Sequence, residues 1–105
     1  MENNMYEIFE QKLYEMLILL EKYNEKHWYS WFKEDYEKLK NGDIYAINNI
    51  LSAFGGASSF SEFGFCKNNG HKIDIIEEDV ENVILSNLKS EIYDLAIKIK
   101  RIKKI

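Results

Sequence analysis

The fold class turns on Phe63-Gly64-Phe65-Cys66-Lys67-Asn68-Asn69-Gly70-His71-Lys72-Ile73-Asp74-Ile75-Ile76. Apolar residues alternate on both sides of Asn68-Asn69-Gly70, which is the spacing of half-buried strands around a turn signal. A three-residue loop with Gly70 in the left-handed conformation sets Phe65 near Ile73 and Phe63 near Ile75. A two-residue Asn69-Gly70 turn sets Phe65 against Asp74, and such a slip in register moves every side chain to the wrong face. The bulged loop is therefore preferred, and the stretch predicts a β-hairpin.

Toward the amino terminus the period becomes helical. Met5, Phe9, Leu13, Met16, Leu17 and Leu20 recur at spacings of three and four, predicting a helix from about Tyr6 to Glu25. Trp28, Trp31, Phe32, Tyr36 and Leu39 continue the period beyond a break near Asn24, which leaves one helix or two open. Asn41-Gly42 supplies the stop, glycine tolerating the left-handed conformation there. Asp43 suits the N-cap of a short third helix that buries Ile44, Ile47, Ile50, Leu51 and Phe54, and Gly55-Gly56 ends it. Beyond the hairpin, Val80, Ile84, Leu88, Ile92, Leu95, Ala96, Ile99 and Ile102 trace a last helix starting near Glu77, with acids in its first turn and lysines near its end, where the helix dipole favours each. The expected fold is α+β and mostly helical: about four helices, with one β-hairpin between the third and the last, in a single domain over residues 1–105.

The 105 residues suffice for one core, and an apolar share of 46% beside a charged share of 30% is a folded, soluble profile. Cys66 is alone, so no disulfide forms within the chain. The acidic start lacks the basic flank of a signal peptide, and no apolar run approaches the roughly 18 residues of a membrane span. A cytoplasmic protein is expected. The net charge of −4 is unevenly spread: from Gly42 to Asn82 seven acids face two lysines, whereas from Val83 onward six basic residues face two acids.

Phe54-Gly55-Gly56-Ala57-Ser58-Ser59-Phe60-Ser61-Glu62-Phe63 has the glycines and serines of a phosphate cradle, but no lysine follows the glycines and a helix precedes them. No Gly-x-Ser-x-Gly elbow is present either. The simpler reading is a structural corner of Gly55, Gly56 and Ser59, the last at capping-box spacing from Glu62. His27 and His71 show no metal-ligand or triad spacing, so no metal, cofactor or catalytic residue is expected. Trp28, Tyr29, Trp31, Phe32 and Tyr36 are dense enough for base stacking but lack a positive groove, and the basic end keeps an apolar face within a chain of pI about 5.2, so no nucleic acid is expected. The run Asp74, Glu77, Glu78, Asp79 and Glu81 suits steering of a basic protein partner, with Tyr29 and Tyr36 as anchors.

The tryptophan-rich second helix, Asn41-Gly42-Asp43, Ile50-Leu51-Ser52-Ala53-Phe54-Gly55-Gly56, Ser59-Phe60 and Asn69-Gly70-His71 resemble a family of short uncharacterised bacterial proteins with a Phe-Gly-Gly-x-x-Ser-Phe corner. The likeness covers Trp28 to Ile99, and Ala57, Ser58, Ser61 and Glu62 depart from the family's usual continuation. Some of those proteins are similar in size and setting to immunity proteins that neutralise toxins. The resemblance implies a non-enzymatic, immunity-type inhibitor that occludes a basic toxin domain, with no membrane partner. The alternative is a small ligand-binding protein or enzyme using the Gly55-Gly56 corner with Ser59 and His71. A homodimer through the aromatic second helix is a third expectation.

Overall fold

The computed structural model describes residues 2–55, 59–60, 63–65, 71 and 73–105, positions 2 and 3 by their backbone alone. Four helices follow one another: α1 (Glu2–Lys22), α2 (Lys26–Lys40), α3 (Ala46–Ser52) and α4 (Ile75–Lys103). α1 packs against α2 and α4, and α3 packs against the same two, so the four enclose one core. The 29 residues of α4 extend about 43 Å at 1.5 Å per residue, which matches the 41 Å long axis of the molecule.

Asn24 takes the left-handed conformation, φ 62°. The Glu25 amide donates to the Leu20 carbonyl at 2.9 Å and the Asn24 amide to that of Glu21 at 3.1 Å, the paired bonds of a Schellman ending. The first two helices are therefore separate. The same pattern closes α2: Gly42 has φ 89°, and the amides of Asp43 and Gly42 donate to the carbonyls of Lys38 and Leu39 at 2.9 and 3.0 Å. Asn41-Gly42 is the stop that the sequence announces. Asp43 Oδ1 then accepts from the Tyr45 amide at 3.1 Å, and a tight turn leads into α3, whose Ile47 and Ile50 are fully buried.

The expected β-hairpin is overturned, and with it the α+β class. The described residues contain no strand, and the fold is all-helical. Ile75 and Ile76 already belong to the first turn of α4, while the expected loop Asn68-Asn69-Gly70 lies outside the described residues. The physical reason is the partner of Phe65. Its amide donates to Asn82 Oδ1 at 2.7 Å, and its carbonyl accepts from Asn82 Nδ2 at 3.0 Å. One side-chain amide on α4 thus makes both bonds that a neighbouring strand would make. Gly64 permits the close passage, since a Cβ there would stand 3.3 Å from Asn82 Oδ1. The alternating apolar residues are separate anchors: Phe65 and Ile73 enter the core, but Ile75, the expected partner of Phe63, is 64% exposed.

α4 buries the middle of the expected line and departs from it at both ends. Leu85, Leu88, Ile92, Ala96 and Ile99 are buried, whereas Val80, Ile84 and Ile102 are exposed. Asn82 and Lys89 fall at the same three-four spacing as Leu85, Ile92, Ala96 and Ile99, so two polar residues occupy the seam of the helix. Lys89 Nζ donates to the Phe63 carbonyl, and its charge lies 4.9 and 5.7 Å from the ring centres of Phe60 and Phe63.

Candidate functional site

The acidic segment forms the start of α4. Asp74 is its N-cap by position, with no side-chain capping bond, and Glu77 and Glu78 stand in the first turn. Asp74, Glu77 and Asp79 are exposed, while Glu78 and Glu81 are half-buried. The acids do not stand alone. Ile76, Val80 and Val83, at helical spacing, are 91, 62 and 60% exposed, so an apolar strip runs between the carboxylates. Ile84 turns toward α1, where with Ile18, Leu19, Lys12, Lys22 and Glu91 it lines an open groove of about 460 Å³. Lys12 bridges this groove by an ion pair to Glu91 at 3.0 Å.

The tyrosines lie on the other side of α1. Tyr36 is half-buried against Tyr14, ring centres 5.9 Å apart, with the ammonium groups of Lys33 and Lys40 near its ring. Tyr29 is half-buried too, and hydrogen bonding to the Glu21 carboxylate, then burial, raises its hydroxyl above the ordinary tyrosine value. Tyr29 and Tyr36 are thus not beside the acids. What joins the two groups is the outer face of α1, where Tyr14 and Ile18, one turn apart, are 46 and 52% exposed. Neither Tyr14 nor Ile18 stands out in the sequence, because each falls between the buried positions of a strongly amphipathic helix.

At the corner after α3 the anchor is Phe60. It is fully buried, 4.7 Å from the ring of Phe32 and 5.1 Å from that of Trp28, and its amide donates to the Ala53 carbonyl at 2.7 Å. Gly55 has no left-handed φ, and a Cβ there would meet open space, while Gly56, Ala57 and Ser58 lie outside the described residues. Ser59 is half-buried beside Phe60. His71 faces Glu25, Nε2 to Oε2 3.3 Å, with both side chains largely buried, and stands edge-on to the rings of Phe63 and Phe65. The histidine thus ties the loop to the α1–α2 junction through a carboxylate that the sequence reading does not pair with it.

Two charged residues carry unusual environments that the sequence does not single out. Asp35 on α2 is fully buried. Its Oδ2 accepts from Asn49 Nδ2 at 2.8 Å, and its Oδ1 has no donor among the described residues. Burial raises its carboxyl above the ordinary range, and the Asn49 bond opposes that shift in part. Lys89 is the other: burial lowers its ammonium to about 8. Among the described residues no three histidine, cysteine or acidic side chains converge as metal ligands, and none of the described helices is long and apolar enough to cross a membrane.

A family model described as a domain of unknown function, DUF6966, matches residues 21–74, just over half of the chain. The chain belongs to the DUF6966 family. No curated protein and no solved structure matches it. The DUF6966 match takes in both tyrosines, the α2–α3 pair Asp35 and Asn49, the Phe60 anchor and the Glu25–His71 contact, and it ends at Asp74. Glu77, Glu78, Asp79 and Glu81, together with Asn82 and Lys89, lie beyond it.

Proposed function

We propose that this DUF6966 protein is a non-enzymatic protein-binding module of the immunity type, which occludes a basic toxin domain in the cytoplasm. The observation that carries the reading is the interleaving of exposed apolar side chains with acids at the start of α4, Ile76, Val80 and Val83 among the exposed Glu77 and Asp79 and the half-buried Glu81. Exposed apolar strips with charged rims mark interaction surfaces, and the acids select a basic partner and speed its approach. The strip continues through Ile84 and Ile18 toward Tyr14 and Tyr36, which extends the surface across three helices. Self-pairing through the start of α4 would bring the acids of two copies together, and that repulsion favours a heterologous partner over a homodimer. Nε2 of His71 meets Glu25, a contact that ties the loop to the α1–α2 junction and supports a structural role for this corner.

Co-expression with the product of the gene adjoining its own tests the reading, by growth and by size-exclusion chromatography. Rescue of growth together with a stoichiometric complex, lost in Val80→Asp, supports it. A neighbouring product that is harmless and forms no complex overturns the immunity reading.

A further inference from the structure

Beside the corner, on the side of α4 away from the α1 groove, lies a cavity of about 400 Å³ lined by Phe54, Ser86, Lys89, Ser90, Tyr93 and Asp94. Its volume is in the range of small-molecule sites. Lys89 is the group that needs explaining. Its ammonium is half-buried, gives one hydrogen bond to the Phe63 carbonyl and has no carboxylate partner among the described residues. An ammonium carries three donors, and charges taken out of water are ordinarily paired. Lys89 therefore brings to the lining of this cavity a positive charge that no carboxylate among the described residues balances, with the rings of Phe60 and Phe63 near it and with Ser86 and Ser90, one helical turn apart on α4, in the same lining. The rings of Phe54 and Tyr93, centres 5.4 Å apart, add apolar surface to the same lining.

We propose that this cavity binds a small organic anion, a carboxylate or phosphate group on an apolar or aromatic body, whose charge pairs with Lys89 and whose body rests on Phe54 and Tyr93. Asp94 also lines the cavity and would repel a second negative charge, which favours a carboxylate over a phosphate, since a phosphate monoester carries close to two charges at pH 7. Among the described residues burial is what lowers the ammonium to about 8, and no acid, Asp94 included, offsets it, so an anionic ligand would meet a charge that these residues leave unpaired. The residues of this site come from α4 and the turn after α3, not from Ser59 and His71, and the site does not depend on the protein-binding face.

Thermal unfolding of the full chain at pH 7, in phenyl phosphate, benzoate, inorganic phosphate or chloride at matched ionic strength, tests it. Phenyl phosphate or benzoate at ten times its Kd is expected to raise Tm by roughly 5 °C over chloride, and the stronger of the two assigns the head group. The gain should vanish in Lys89→Met and in Ser90→Val, the second variant serving should the first not fold. Equal Tm in all four salts overturns the site, and so does a gain that both variants retain.

Discussion

A carboxylate sealed from water is a liability unless it is neutralised or fully bonded, and Asp35 is neither. With one oxygen lacking a donor and its pKa raised by burial, the folded chain binds a proton more readily than the unfolded chain. The stability gained by protonation is present in full below the unfolded value of 3.8 and is lost as pH rises through the higher folded value. Asp35→Asn removes the charge and keeps an acceptor for Asn49, so it should stabilise the protein at pH 7 by about 1–3 kcal/mol and flatten the acid side of the stability profile. Urea unfolding of both proteins from pH 4 to 7 measures this, and a destabilised variant would show that the carboxylate has a bonding role the geometry does not reveal. Lys89 runs the other way. Its folded pKa of about 8 lies below the ordinary 10.5, so the unfolded chain holds the proton more tightly and stability rises with pH between those values. Wild type should gain on Lys89→Met by up to about 3 kcal/mol across that window, a difference readable from urea midpoints at pH 7.5 and 10.5. Parallel profiles for the two proteins would show that burial does not hold Lys89 down.

At the scale of elements, Phe63 and Phe65 are held by α4 side chains, with no strand among the described residues, and Asn82 is the decisive residue. Asn82→Ala leaves the Phe65 amide and carbonyl without partners in a partly buried setting. At about 1–3 kcal/mol for each of the two unsatisfied groups, the loss should be about 2–6 kcal/mol, a large share of a typical total of about 5–15 kcal/mol. Hydrogen exchange should show the Phe65 amide losing protection while α1 and α2 keep theirs relative to global stability. A loss under about 0.5 kcal/mol, of the size ordinary at surface sites, would mean that the loop finds other donors. The helices were legible because their signals are local: the three-four stripe of α1, the Asn24 break and the Asn41-Gly42 ending are each written in adjacent residues. The hairpin reading failed because alternation in Phe63, Phe65, Ile73 and Ile75 is equally the mark of irregular chain that drops single side chains into a core. Asn82 and Lys89 held the missing information, since both fall on the seam of Leu85, Ile92, Ala96 and Ile99. In a reading that assigns buried positions by apolarity alone, they look like solvent positions and rotate the predicted face toward Val80 and Ile84. The acidic run was legible as charge, but the apolar strip that accompanies it was not, because the exposure of Ile76, Val80 and Val83 depends on that rotation.

Across the whole molecule, the proposed binding face assigns different work to charge and to apolar area, and kinetics can separate them. The field of the early α4 acids reaches about a Debye length, about 10 Å at 0.1 M salt and 3 Å at 1 M, so in that proposal they would act on the encounter before any contact forms. Ile76, Val80 and Val83 would act only once water is expelled. With the basic partner protein of the co-expression test, the wild-type association rate should fall by at least tenfold between 50 and 500 mM salt. Glu77→Gln, Asp79→Asn and Glu81→Gln together should lower the rate at 50 mM and remove most of its salt dependence. Val80→Ala with Val83→Ala should leave association nearly unchanged and speed dissociation, because affinity within one interface is tuned mainly through the off-rate. All of these positions are exposed or half-buried, so thermal unfolding of each variant should stay within a few degrees of wild type, which keeps a loss of binding from being mistaken for a loss of fold. Association that ignores ionic strength, or an alanine pair that slows the encounter and not the release, would place the interface elsewhere on the molecule.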